Sequence, residues 1–152
     1  MLLRTHFVFA AFLGLLGFYF GFGGGIFIIC ILFGSLLPDI DTKTSSLGRW
    51  IVFRPFQVAF AHRGITHSLL FLGILSLAFW YILPQGLLGF VIGYGSHLFL
   101  DLLTIKGIPL FWPVTQKFGG FCRTGRTFDK VLFVVSSLGC LIVGVVIVVG
   151  YF

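Results

Sequence analysis

His62-Arg63-Gly64-Ile65-Thr66-His67-Ser68 stands where a polar, basic loop becomes a long apolar segment, and it sets two imidazoles, a guanidinium and two hydroxyls at that boundary. The apolar run that starts at Ile65 continues to Leu83, where Pro84-Gln85-Gly86 closes it. A helix that crosses a bilayer needs about 20 mostly apolar residues, within a range of roughly 17–25, and this run qualifies. Working outward, four more runs meet or approach the same criterion: about Thr5 to Phe22, Gly23 to Leu37, Leu87 to Leu103 and Phe128 to Tyr151. The second is short. It is entered through Gly23-Gly24-Gly25 and ends at Pro38, whose ring restricts the residue before it and removes a donor.

The composition agrees with that reading. Of the 152 residues, 59% are apolar and only 9% are charged, against roughly 45–50% and 25% in soluble proteins. The expected fold is therefore all-α: a polytopic membrane helical bundle of about five transmembrane helices, forming a single domain over residues 1–152. No small-residue cleavage pattern follows the first run, so it reads as the first span.

Alternating spans place all ten lysines and arginines on the side of the N-terminus. Their bias toward cytoplasmic loops makes that side, with the N-terminus and the two long loops, cytoplasmic. The formal charge of +6 is then a mark of topology, and nucleic acid is not an expected partner. Trp80 and Tyr81 fall at the far interface, with Trp50 and Trp112 at the near one, as amphipathic rings prefer. Cys30 and Cys140 lie within spans and Cys122 in a basic loop; none forms the paired spacing of a zinc ribbon or a redox motif.

The same topology gathers His6, Asp39, Asp41, His62, His67, His97 and Asp101 at the cytoplasmic ends of the first four spans. Ionisable groups at membrane depth cost at least about 2.5–3.5 kcal/mol on insertion scales, and their presence is a functional hypothesis by default. His97 and Asp101 are four apart in an apolar helix, so they share a face about one turn apart. Asp39 and Asp41 flank Ile40 just after Pro38, where an extended chain would point both carboxylates the same way. Two carboxylates held close repel unless a cation or proton lies between them. His62 and His67 are five apart, which places His62 in the loop and His67 in the first turn of span three, with Thr66 or Ser68 as its cap.

Mixed His and Asp ligands suit zinc, manganese or iron better than calcium or magnesium. Seven groups exceed the three or four protein ligands of one catalytic zinc, which leaves room for supporting roles or for a second ion. Hydrolysis is the natural reaction of such a centre. Arg63 is placed to bind a phosphate oxygen, with Arg49 and Lys106 as lesser helpers.

Four motifs in order, Leu37-Pro38-Asp39-Ile40-Asp41, His62-Arg63-Gly64-Ile65-Thr66-His67-Ser68, Ser96-His97-Leu98-Phe99-Leu100-Asp101-Leu102-Leu103-Thr104 and Lys106-Gly107-Ile108-Pro109-Leu110-Phe111-Trp112-Pro113, resemble those of the YdjM-like family of predicted inner-membrane, metal-dependent hydrolases. His6, after Thr5, matches as well. The resemblance covers about Thr5 to Pro113 and implies a bound metal and a hydrolytic reaction; beyond Thr115 no motif carries over, and Asp129 reads as a helix-start residue.

The functional expectation is a membrane-bound metal-dependent hydrolase of the inner membrane, its site facing the cytoplasm and its substrate a membrane lipid or lipid-linked phosphoester. One or two divalent ions, zinc or manganese, would be held by His6, Asp39, Asp41, His62, His67, His97 and Asp101. Asp39, Asp101 and Arg63 would carry the catalysis, and the segment Ile108 to Pro113 would lie at the interface beside the site. A transporter or proton- or metal-relay protein is the alternative use of the same residues, but the spans offer only small polar groups such as Ser76, Ser136 and Ser137 beyond the cytoplasmic third.

Overall fold

The computed structural model describes residues 1–41 and 64–150, with Asp41 described in its backbone only. Among these residues the helices are α1 (Leu3–Tyr19), α2 (Gly25–Leu36), α3 (Leu69–Ile82), α4 (Leu87–Leu102) and α5 (Thr127–Gly150), with short 3-10 turns at Leu37–Asp41, Ile65–His67 and Pro84–Gly86. The described residues form no strand, only isolated bridges between Thr104 and Cys122 and between Ile108 and Phe118. The fold is all-α, and each helix falls on one of the apolar runs.

Helices α2 and α4 form the centre. Helix α1 lies against α2 and α4, α5 against α1, and α3 against α4. The central pair approaches so closely because its seam is made of glycine. A Cβ on Gly34 would lie 2.6 Å from the Phe90 carbonyl, and one on Gly89 or Gly93 would collide with the carbonyls of Phe27 and Ile31. Helices in lipid gain little from burying apolar surface and associate instead where small residues let backbones meet. Around the seam Cys30, Phe90, Tyr94, Leu98 and Ile108 form one buried cluster, and Met1, Leu100 and Cys122 form another beneath the end of α4.

The exterior is apolar. Helix α3 buries none of its residues and presents Ile74, Leu77, Trp80, Tyr81 and Ile82 outward; α5 buries only Asp129 and Ser136 and presents a valine-rich surface. Patches of that extent are not left facing water by monomeric proteins. Helix α5 is by length and composition able to cross a membrane. The other apolar helices are shorter: α1, at 17 residues, spans about 26 Å at 1.5 Å per residue, a little less than a hydrocarbon core of about 30 Å.

Local structure departs from the sequence reading in two places. After Pro38 the chain is a 3-10 turn over Leu37–Asp41 rather than extended, so residues two apart no longer share a direction. The proline ring fixes φ near −65° and lacks only an N–H, both of which suit a tight turn that continues the helix. Helix α3 begins at Leu69, not Ile65: Ser68 is its N-cap, accepting from the Phe71 amide at 3.2 Å, and His67 sits in the preceding turn.

Beyond α4 the chain folds back under the bundle. Gly107, at φ +61°, makes the reversal, and Gly120 passes so near the Leu103 carbonyl that a Cβ there would lie 2.8 Å from it. The Leu69 amide donates to the Leu110 carbonyl at 2.9 Å, which fastens this segment to the start of α3. At the other edge Asp129, in the first turn of α5, accepts from the Gly125 amide at 2.7 Å, the Leu2 amide at 3.2 Å and the Thr5 hydroxyl at 2.5 Å. It is the helix-start residue read from the sequence and also the tie between α5 and α1.

Candidate metal centre

Each side chain of the centre arrives from the end of a different element. His6 comes from the first turns of α1, Asp39 from the turn after α2, His67 from the turn before α3, and His97 and Asp101 from the last turns of α4. Polar groups in an apolar bundle collect where helix ends free backbone partners, and the position of His97 shows how. The last four carbonyls of a helix have no intrahelical partner. The Ser35 carbonyl of α2 is one of these, and His97 Nδ1 lies 2.7 Å from it. A carbonyl only accepts, so Nδ1 is the donor, and in the neutral ring Nε2 is left with its lone pair.

Nε2 of His97 lies 3.9 Å from Asp39 Oδ1. His6 stacks on His97 with ring centroids 3.9 Å apart, and its Nε2 lies 3.4 Å from Asp101 Oδ1. His67 Nε2 is 3.7 Å from Asp101 Oδ2 and 4.0 Å from Asp39 Oδ1. The Asp101 carboxylate thus spans His6 with one oxygen and His67 with the other; its Oδ1 also accepts from the Met1 amino group. Two ligand sets result, His6–His97–Asp101 and Asp39–His67–His97, each with its ligand atoms within 4.8 Å of one another and with His97 common to both.

Thr66, within the second motif, and Tyr94, outside the motifs, hold this arrangement. The Thr66 hydroxyl meets His67 Nδ1 at 3.1 Å, and the Tyr94 hydroxyl donates to the Thr66 carbonyl from α4. Metal-binding histidines are typically fixed in this way through the second ring nitrogen, and losing such partners costs 10–100-fold in affinity or activity. Sequence reasoning missed Tyr94 and Ser35 as supports. Tyr94 stands one turn before His97 on α4, so helical spacing from a candidate ligand was the signal available; a carbonyl acceptor leaves no signal.

The donor chemistry fits a divalent transition metal. Three imidazoles and two carboxylates make a mixed nitrogen and oxygen set, the preference of zinc, manganese or iron. Nε2 of His97 and Nδ1 of His6 are buried and have no hydrogen-bond partner among the described residues. A buried polar atom left unsatisfied costs about 1–3 kcal/mol, which an ion at His97 Nε2 would remove. Of the seven ligands expected from the sequence, the fold brings together His6, Asp39, His67, His97 and Asp101. The Asp41 side chain, His62 and Arg63, the expected phosphate contact, lie outside the described residues.

An apolar-surfaced helix bundle with a buried His/Asp cluster at one end defines a class: a helical membrane protein with a candidate metal centre. The family model for the YdjM inner membrane protein matches residues 1–152, and the chain belongs to that family. Over 93 residues it is 45% identical to the inner membrane protein YdjM of Escherichia coli (strain K12) and to that of Shigella flexneri, an alignment covering 55% of this chain and 47% of either relative. The chain spans about half the length of these relatives. It is 36% identical over 102 residues, 64% of each chain, to the uncharacterized protein YvsG of Bacillus subtilis (strain 168). No solved structure matches it.

Proposed function

We propose that the chain is a polytopic membrane-bound, metal-dependent hydrolase whose N-terminus and site face the cytoplasm and whose substrate is a membrane lipid or lipid-linked phosphoester. The observation that carries the reading is His97: a buried imidazole with Nδ1 committed to a carbonyl and Nε2 turned, without a hydrogen-bond partner among the described residues, toward two carboxylates and two further histidines. His6, Asp39, His67, His97 and Asp101 would hold zinc or manganese, as one ion or two. When bound, such an ion supplies Lewis acidity toward a water and an ester oxygen.

The protein's own groups divide the remaining work. The Asp101 side chain is almost wholly buried between two histidines, while that of Asp39 remains 22% exposed. Asp101 therefore serves mainly to hold the centre, and Asp39 is the carboxylate with access to take a proton from an attacking water. Arg63, Asp41 and His62 keep the roles read for them in the sequence, phosphate contact for the first and metal ligation for the others. A site at the ends of helices, beside the apolar segment Ile108 to Pro113, suits a substrate whose polar head stays at the interface.

Elemental analysis of the detergent-purified protein tests the reading. About one or two equivalents of transition metal are expected, lost in both His67→Ala and Asp101→Ala, with hydrolysis of phosphoester lipids by the loaded wild type. Well-folded wild type that binds neither zinc nor manganese would overturn it.

A further inference from the structure

Next to the candidate centre, reached through Thr104, lies a cavity whose lining includes Lys106, one of the lesser phosphate helpers expected from the sequence. Its volume is about 540 Å³, and it is lined by Thr104, Ile105, Lys106, Cys122, Arg123, Thr124 and Arg126. Thr104 and Cys122 form its floor: both are buried, the Thr104 hydroxyl donates to the Asp101 carbonyl at 2.7 Å, and Cys122 packs on Met1 and Leu100. Three of these seven residues are cationic. Lys106, Arg123 and Arg126 have no carboxylate partner among the described residues.

We propose that this cavity binds the phosphate group of an anionic ligand, either the headgroup of a membrane lipid or free phosphate. Two arginines and a lysine lining one hollow suit a phosphate, which takes paired donors from arginine and a point charge from lysine. The hydroxyls of Thr104 and Thr124 add neutral donor and acceptor groups to the wall. The carboxylate nearest by sequence, Asp129, is turned toward α1, with its oxygens taken by Leu2, Thr5 and Gly125. Burial and the neighbouring Asp129 push the Cys122 thiol up from its ordinary range, so the floor stays uncharged near neutrality and adds no repulsion. Arg4 lies over the Phe133 ring at 5.1 Å and does not line the cavity. The proposal requires neither bound metal nor hydrolysis.

Binding of dioctanoyl phosphatidic acid and of inorganic phosphate to the full chain in detergent, measured by calorimetry at an ionic strength of about 0.15 M without added metal, tests it. Saturable binding is expected, weakened about tenfold or more in Arg123→Gln/Arg126→Gln and to a lesser degree in Lys106→Gln on the facing wall. The control Arg4→Gln/Lys117→Gln, which removes the same charge outside the cavity, should stay within about twofold, as diffuse charge is screened and weak. Competition by inorganic phosphate identifies free phosphate as a sufficient ligand; lipid binding that phosphate does not compete with identifies the lipid headgroup. Circular dichroism must report equal helicity in all variants, so that Lys106→Gln decides if the double variant misfolds. Equal weakening in the cavity and control variants, or no saturable binding of either probe, would overturn the proposal.

Discussion

His97 is anchored to Ser35 by Nδ1, the ring nitrogen that faces away from the carboxylates, at 2.7 Å across the seam between α2 and α4. The bond exists only because the two backbones are close enough for a side chain on one to reach a main-chain carbonyl on the other. The orientation of the candidate ligand therefore depends on the seam glycines, Gly34 beside Ser35 and Gly93 one turn before His97.

Gly93→Ala tests that dependence. The added methyl meets the Ile31 carbonyl, which as backbone cannot swing aside, and overpacking of this kind costs about 1–3 kcal/mol. Metal affinity is expected to fall about 10–100-fold as the ligand loses its support. Gly95→Ala, where nothing lies within 4 Å of the new Cβ, should leave both quantities unchanged. Equilibrium dialysis with zinc and an unfolding titration in detergent would measure the two.

Tyr94→Phe removes the hydroxyl that the buried Thr66 carbonyl accepts from and keeps the ring in the core. The expected loss is about 1–3 kcal/mol of stability, with weaker metal binding because the His67 turn is released. A variant with unaltered metal affinity would make Tyr94 a packing residue only.

Asp39→Asn and Asp101→Asn should differ in kind. Asp101 lies between His6 and His67, so its neutralisation should strip the metal. Asp39 is more open, and its amide variant should retain more metal while kcat falls about 10²–10⁴-fold, the usual range for a general base. Metal content and single-turnover rates on the same preparations separate the two effects.

Asp129→Asn reports on the tie between α5 and α1. The amide keeps the size of the side chain but turns one of its oxygens into a donor facing the Leu2 amide, the Gly125 amide or the Thr5 hydroxyl. A loss of about 1–3 kcal/mol is expected. Because His6 is one residue from Thr5, metal affinity should fall with it, whereas Ser137→Ala, whose hydroxyl donates only to the Phe133 carbonyl of its own helix, should change neither.

The apolar runs located all five helices of the described residues, because continuous hydrophobicity bounded by Gly and Pro is written residue by residue. The pair His97 and Asp101 was legible for a similar reason: four-residue spacing in a helix fixes a common face. The parallel carboxylates expected of Asp39 and Asp41 need an extended chain after Pro38, and the choice between an extended stretch and a 3-10 turn rests on helix-end carbonyls rather than on residue type. The hydrogen bonds that Ser35, Tyr94 and Thr66 make are not written in the sequence, where spacing alone points to Tyr94. Each depends on which backbone lies opposite, and that is set by the Gly34, Gly89 and Gly93 seam.

The polar bonds between distant segments lie almost entirely at one end. Met1, Leu2 and Thr5 engage Asp101 and Asp129, His97 engages Ser35, Tyr94 engages Thr66, and Leu69 engages Leu110, whereas further along, the described residues offer only the thiol of Cys140 against the Val8 carbonyl at 3.7 Å. The molecule is riveted at its polar end like the ribs of a fan. At the opposite tip the backbone bonds of the connections Gly21–Gly24 and Pro84–Gly86 are local, such as the Gly21 amide to the Phe18 carbonyl and the Gly86 amide to the Leu83 carbonyl, so a shallow wedge of lipid or detergent entering there would splay the ribs while leaving the pivot, and with it the His/Asp cluster, intact.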